Sequence, residues 1–174
     1  MRHYARGVAY SAKGDTKSAR AEQTAFATAR AALPADSLMG NNKAPDLLTV
    51  ADRVLEGEIS YREGNRDSAF ASLRRAVELE GALKYDEPPS WILPARHTLG
   101  AALLDARLPR EAELVFRSDL EHLPNNGWAL FGLEQSLREQ GRKAEAAKVE
   151  ANFRKAWEGA DFEITSPCAC LSAP

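Results

Sequence analysis

Four times along the chain a residue that breaks a helix is followed five positions later by an alanine inside a helical run. The pairs are Gly14 with Ala19, Gly64 with Ala69, Arg107 with Ala112 and Gly141 with Ala146. The alanines lie 50, 43 and 34 residues apart. A recurrence of this kind constrains the fold more than local propensity does, because each copy is one supersecondary unit that buries its apolar face only against its neighbours. Ala, Leu, Glu and Arg dominate the intervening runs, which favours helix over strand.

The residue types have a steric reason. Gly57 and Gly100 stand where the first helix of a hairpin crosses close to a neighbour, and Ala69, Ala112 and Ala146 let the second helix approach in return. Leu73 and Phe116 are then expected to fill the gaps one turn away. Between paired helices, Gly14-Asp15, Gly64-Asn65 and Gly141-Arg142 supply a left-handed residue that ends one helix, and Asp15 or Asn65 begins the next. Arg107 departs from this rule, so Pro109 is expected to fix that turn instead. Helices are predicted over 2–13, 16–33, 46–63, 66–81, 92–106, 109–122, 127–140 and 143–158. Relative to the last spacing of 34, the first two are longer by 16 and 9 residues, which places insertions at Pro34 to Pro45 and at Leu83 to Pro89, between hairpins.

In the third segment, Leu99-Gly100, Leu103, Ala112, Phe116 and Pro124 resemble the pattern of a tetratricopeptide repeat. The second offers Gly57, Gly64, Ala69, Leu73 and Ala76 at the same offsets. The first offers Gly7, Tyr10, Gly14, Ala19 and Phe26, with Gln23 in place of a large apolar residue. The fourth keeps Leu133, Leu137, Gly141, Ala146 and Phe153, but Glu134 replaces a small residue and Glu150 stands where Phe116 stood one repeat earlier. The run from Tyr85 to Trp91, with Leu99 to Leu104 and Pro124 to Trp128, is similar to the C-terminal part of larger bacterial tetratricopeptide proteins of unassigned role. The resemblance implies an all-α, right-handed superhelical stack of about four hairpins over 1–160. Its repeats would cover 1–33, 46–81, 92–124 and 127–158, with further repeats upstream and a flexible tail over 161–174.

In such a stack the first helix of each hairpin lines a concave groove. The register projects Tyr4, Val8 and Ser11 onto it, then Val54, Glu58, Tyr61 and Arg62, then His97, Ala101 and Leu104, and finally Trp128, Phe131, Gln135 and Arg138. Several of these aromatics equally suit packing between helices, the more frequent fate of large rings. The Asn of a carboxylate clamp, used by chaperone-binding members of the family, is replaced by Val8, Glu58, Ala101 and Gln135, so a chaperone tail is not the expected ligand. The segment Tyr85 to Trp91 reads as a rigid connector that packs its aromatics over the core and starts the next helix at Ser90. As a recognition loop, the competing reading, it would lose little entropy on binding because Pro88 and Pro89 stiffen it.

Other chemistry finds little support. The formal net charge is −2, from 23 basic and 25 acidic side chains, so no overall field attracts nucleic acid or an anionic membrane. No run of 18 apolar residues and no export signal occurs, so a soluble, by default cytoplasmic, chain is expected. Asp86 and Glu87 read as solvated carboxylates. His3, His97 and His122 share no helical face at ligand spacing. Phosphate loops, nucleophile elbows and metalloprotease motifs are missing, so no enzyme and no cofactor is expected. Cys168 and Cys170 are two thiols close enough to share a soft metal or be oxidised together, but two ligands make an incomplete site, and a mobile tail with incidental thiols is the simpler reading. The leading expectation is a scaffold whose groove takes a protein or peptide partner. The alternatives are self-assembly of a repeat protein and a metal or redox role for the Cys-x-Cys tail.

Overall fold

The computed structural model describes residues 1–168. The fold is all-α. Among the described residues eight helices follow one another: α1 (Arg2–Ala12), α2 (Thr16–Ala31), α3 (Ala44–Arg62), α4 (Arg66–Gly81), α5 (Ala95–Asp105), α6 (Pro109–His122), α7 (Gly127–Glu139) and α8 (Lys143–Ala156). The sole sheet among the described residues is a two-stranded antiparallel ribbon, β1 (Leu38–Met39) with β2 (Asn42–Lys43), in the first insertion. Two compact units result, Met1–Ala95 and a second that begins at Arg96.

The four intra-hairpin turns close in the same way. The amide of Asp15 donates to Tyr10 O at 3.0 Å, Asn65 to Ser60 O at 2.9 Å, Leu108 to Leu103 O at 2.9 Å and Arg142 to Leu137 O at 3.0 Å. Just before each donor sits the break residue in the left-handed region: Gly14 at φ 77°, Gly64 at 83°, Arg107 at 64° and Gly141 at 75°. These are Schellman-type helix ends, which satisfy carbonyls that the last turn leaves orphaned. Arg107 therefore takes the strained conformation itself, and Pro109, at the start of α6, does not substitute for it. Asp15 caps α2 by accepting the Ser18 amide at 3.0 Å, and Asn126 caps α7 by accepting from Trp128 N at 3.0 Å.

The fifth helix starts at Ala95 rather than 92. Pro94 keeps Leu93 out of helical geometry, and the Ala95 amide is capped by Glu80 Oε2 at 2.8 Å, so Ile92 and Leu93 remain outside the helix and exposed.

In the first unit α3 lies against α1, α2 and α4, and its buried residues Val50, Ala51, Val54, Leu55 and Ile59 form most of the core. A Cβ on Gly57 would overlap Leu73, and one on Gly7 would press on Leu55, so these glycines set how closely the helices approach. Gln23 has a polar task that explains the missing apolar residue. Its amide donates to Glu56 Oε2 at 2.7 Å beside the Arg20 guanidinium, which bonds Glu56 at 2.6 Å and Glu63 at 2.6 Å. This cluster ties α2 to α3 and holds the Glu56 carboxyl down at about 2 against the opposing effect of burial.

In the second unit Phe116 of α6 is fully buried between Gly100 of α5 and Gly132 of α7, either of which would overlap its ring if it carried a Cβ. Glu134, which stands where the fourth repeat lacks a small residue, instead accepts a hydrogen bond from Arg138, which also bonds Glu150 of α8. Glu113 of α6 takes hydrogen bonds from Gln140 at 2.8 Å, Arg142 at 2.6 Å and Arg117 at 2.8 Å. Residues after α8 fold back: the Trp157 indole donates to Phe162 O at 2.9 Å, and Ile164 and Cys168 are buried.

Candidate functional site

The face that α1 and α3 were expected to offer a ligand is occupied by the chain itself. Tyr4 stands with its ring centroid 6.3 Å from Phe26 and 5.6 Å from Trp91, the latter edge-on. Trp91 is buried in one apolar cluster with Phe26, Val50, Val54 and Ala95. Burying an indole is among the largest single gains a loop can make, and Trp91 makes it here. Glu58, one turn after Val54 on α3, is buried, and loss of hydration pushes its carboxyl up to about 8 against the weaker pull of Arg62. The Tyr4 hydroxyl is pushed up in turn, first by burial and then by Glu58. Ser11 is buried with its hydroxyl unpartnered, Val54 is buried, Val8 and Tyr61 are half-buried, and Arg62 is exposed. The Tyr61 ring lies 6.1 Å from Phe70.

The two insertions of the first unit, distant in sequence, meet on its surface. The Lys84 amide donates to Asn42 Oδ1 at 2.7 Å, and Asn42 Nδ2 donates to Lys84 O at 2.9 Å. Asp86 accepts the Asn41 amide at 3.0 Å, the Asn42 side chain at 3.1 Å and the Ser90 hydroxyl, which holds its carboxyl below the usual range. Asp86 is thus a structural acceptor and not one of two solvated neighbours, and Glu87 accepts instead from the Tyr85 hydroxyl at 2.6 Å. Asn42 is buried while the ribbon carrying Leu38 and Met39 is exposed, as are Tyr85 on the second insertion and Ile92 and Leu93 just after it. A recess of about 510 Å³ opens between the ribbon and α3–α4, lined by Leu38, Asn42, Lys43, Leu79, Leu83 and Lys84. The clasp was not visible in the sequence: the strands have two residues each, and the asparagine and aspartate that pin them lie 44 residues apart.

No family model matches the chain, and neither a curated protein nor a solved structure does.

In the second unit the projected groove residues go elsewhere as well. His97, Ala101 and Leu104 are buried. His97 Nε2 lies 3.0 Å from Oδ2 of Asp119, whose other oxygen is buried and unpartnered. Trp128 lies 6.0 Å from Trp157 and Phe131 5.6 Å from Phe153, with Phe153 stacked on Trp157 at 5.9 Å. Phe131 therefore packs on Phe153 of α8, and Trp128 on Trp157 directly after that helix. Gln135 is half-buried, and Arg138, although exposed, pairs with Glu134 and with Glu150 at 2.8 Å.

Of the remaining candidates, His3 bonds Glu22 at 2.7 Å and His122 Nδ1 donates to Ser118 O at 2.8 Å. Among the described residues no three of His, Cys, Asp or Glu gather as metal ligands. Cys168 is buried and is not a free thiol, whereas Cys170 lies outside the described residues. Among the described residues no helix is long and apolar enough to cross a membrane.

Proposed function

We propose that the protein is an interaction module, a tetratricopeptide-like set of helical hairpins that captures a protein or peptide partner, and that the partner docks on the clasped insertions of the first unit. The observation that carries this reading is the combination of exposure and order at one place. Leu38 and Ile92 are 72% and 78% exposed, yet they sit on segments anchored by the buried Asn42 and by Asp86. Apolar side chains held out in water on an ordered support cost little entropy when a partner covers them. The faces of α1 and α3 serve the protein's own core and are less suited to the task. The absent carboxylate clamp points the same way, toward apolar rather than C-terminal recognition.

A displayed random-peptide library, selected on the full chain, tests the proposal. Selected peptides are expected to be apolar and to bind a Leu38→Asp, Ile92→Asp variant about tenfold or more weakly, a loss of about 1.4 kcal/mol. Failure to select any peptide, or equal binding to the variant with its helical spectrum intact, contradicts it.

A further inference from the structure

The recess beside the ribbon is lined by charge as well as by apolar side chains. It has a volume of about 510 Å³, and its apolar lining comes from Leu38 of the ribbon and from the half-buried Leu79 and Leu83 at the end of α4. Cavities of about 300–1,000 Å³ are the size that bound groups fill. Leu38 is also 72% exposed, so the recess and the exposed apolar surface of the insertions share that side chain.

Lys43 and Lys84 line the same recess. Their backbones are held at one junction: Lys43 follows Asn42 directly, and the Asn42 side chain bonds the amide and the carbonyl of Lys84 at 2.7 and 2.9 Å. Both lysine side chains are exposed, and neither ammonium has a carboxylate partner or a hydrogen bond among the described residues. Arginines of the same unit are used differently, since Arg6, Arg20, Arg30 and Arg53 each meet a carboxylate within 3.2 Å. A lysine lays its methylene stem along apolar surface and keeps its ammonium in water. Two stems anchored at one junction therefore give the recess an apolar interior and a cationic rim.

Two carboxylates lie near without pairing with these lysines. Asp46, also in the lining, stands in the first turn of α3, where a negative charge meets the positive end of the helix dipole. Asp86 is engaged by Asn41, Asn42 and Ser90. We propose that the recess takes an acidic-apolar segment of the partner, a peptide in which a large apolar side chain enters between Leu38, Leu79 and Leu83 and a neighbouring Asp or Glu meets Lys43 and Lys84. This rests on partner docking at the insertions and adds the charge of what docks there. The apolar side chain supplies most of the affinity. The carboxylate selects among apolar segments, because exposed ion pairs contribute little energy but discriminate between partners. A basic segment is repelled by the same two ammonium groups.

Random-peptide selections run in parallel on the unaltered full chain, on a Lys43→Gln, Lys84→Gln variant and on a Lys43→Glu, Lys84→Glu variant test the proposal. Both variants keep the Asn42 ring, which uses only the backbone of Lys84, and circular dichroism reports that each remains helical. Peptides from the unaltered chain are expected to carry Asp or Glu beside a large apolar residue. The neutral variant should bind the best of them about three- to tenfold more weakly, a difference that added sodium chloride narrows. The reversed variant should select Lys or Arg at the acidic position. Apolar peptides without an acidic preference, or an acidic preference that survives charge reversal, overturn the proposal and leave the docking surface standing. If the reversed variant is not helical, unchanged affinity in the neutral one overturns the proposal alone. Failure to select any peptide removes the docking surface itself, and this proposal with it. Self-association of the chain that Leu38→Asp, Ile92→Asp abolishes seats a second copy on the face and overturns the proposal as well.

Discussion

Asn42 closes a two-bond ring with the backbone of Lys84, accepting its amide at 2.7 Å and donating to its carbonyl at 2.9 Å. Because the pair joins the two insertions, one side chain orders a surface assembled from segments 42 residues apart. Asn42→Ala leaves the Lys84 amide and carbonyl without these partners in a part-buried place. We expect a loss of about 1–3 kcal/mol, read as a lower urea midpoint at unchanged slope. Hydrogen exchange at the Asn41 and Lys84 amides should accelerate, while the helix amides of the second unit keep their protection.

Arg107 occupies at φ 64° the position that glycine takes in the other three hairpin turns. Its side chain is exposed, and its ion pair with Glu139 at 3.3 Å is a surface contact worth little. Arg107→Gly relieves the left-handed strain and should stabilise the protein by about 1 kcal/mol. A thermal melt gives the sign directly, since most substitutions lower the midpoint and this one should raise it.

Phe116 is enclosed by Gly100 and Gly132. Gly132→Ala forces a methyl group into the ring, and a cost of about 1–3 kcal/mol is expected from overpacking. Shortening the ring should relieve that cost, so Phe116→Leu in the Gly132→Ala background is predicted to lose less than the sum of the two single changes. A double-mutant cycle from denaturant midpoints measures the coupling.

Glu58 makes stability depend on pH in the direction opposite to an ion-paired carboxylate. Its carboxyl is raised from the ordinary 4.5 to about 8, so between those values the folded state holds a proton that the unfolded state has released. Stability from this group is fully present below about 4.5, falls as pH rises, and levels off above about 8, with a slope of at most about 1.4 kcal/mol per unit. Glu58→Gln should flatten that decline. Equilibrium unfolding of both proteins across the window tests the sign, and parallel pH profiles would show that Glu58 does not cause the slope.

Much of the fold is legible in the sequence because its decisive residues act locally. Gly14, Gly64 and Gly141 mark helix ends through their own backbone freedom, and Gly57 and Gly100 meet Leu73 and Phe116 as their spacing predicts. Arg107 shows that hairpin geometry can impose the left-handed turn on a residue that does not favour it. The candidate surface was less legible because it rests on long-range pairs. Asn42 and Asp86 are unremarkable in their own neighbourhoods and acquire a role only when the insertions meet. The same holds for Trp91: its local sequence suggests a side chain packed over the core, but not that it meets Tyr4 and joins the cluster of Phe26 and Val54. In the second unit, α8 carries Glu150 where α6 has Phe116, so Trp128 and Phe131 are drawn to Phe153 and Trp157 and away from a groove.

Site-specific photo-crosslinking tests the docking surface most directly. Benzoylphenylalanine placed at Leu38 or Leu93 is compared in living cells with the same probe at Leu114, an equally exposed leucine on α6 of the second unit. The account predicts one shared covalent partner from positions 38 and 93, absent from position 114 and lost when Asn42→Ala loosens the clasp. The same products from all three positions, or none from the insertions, would contradict it.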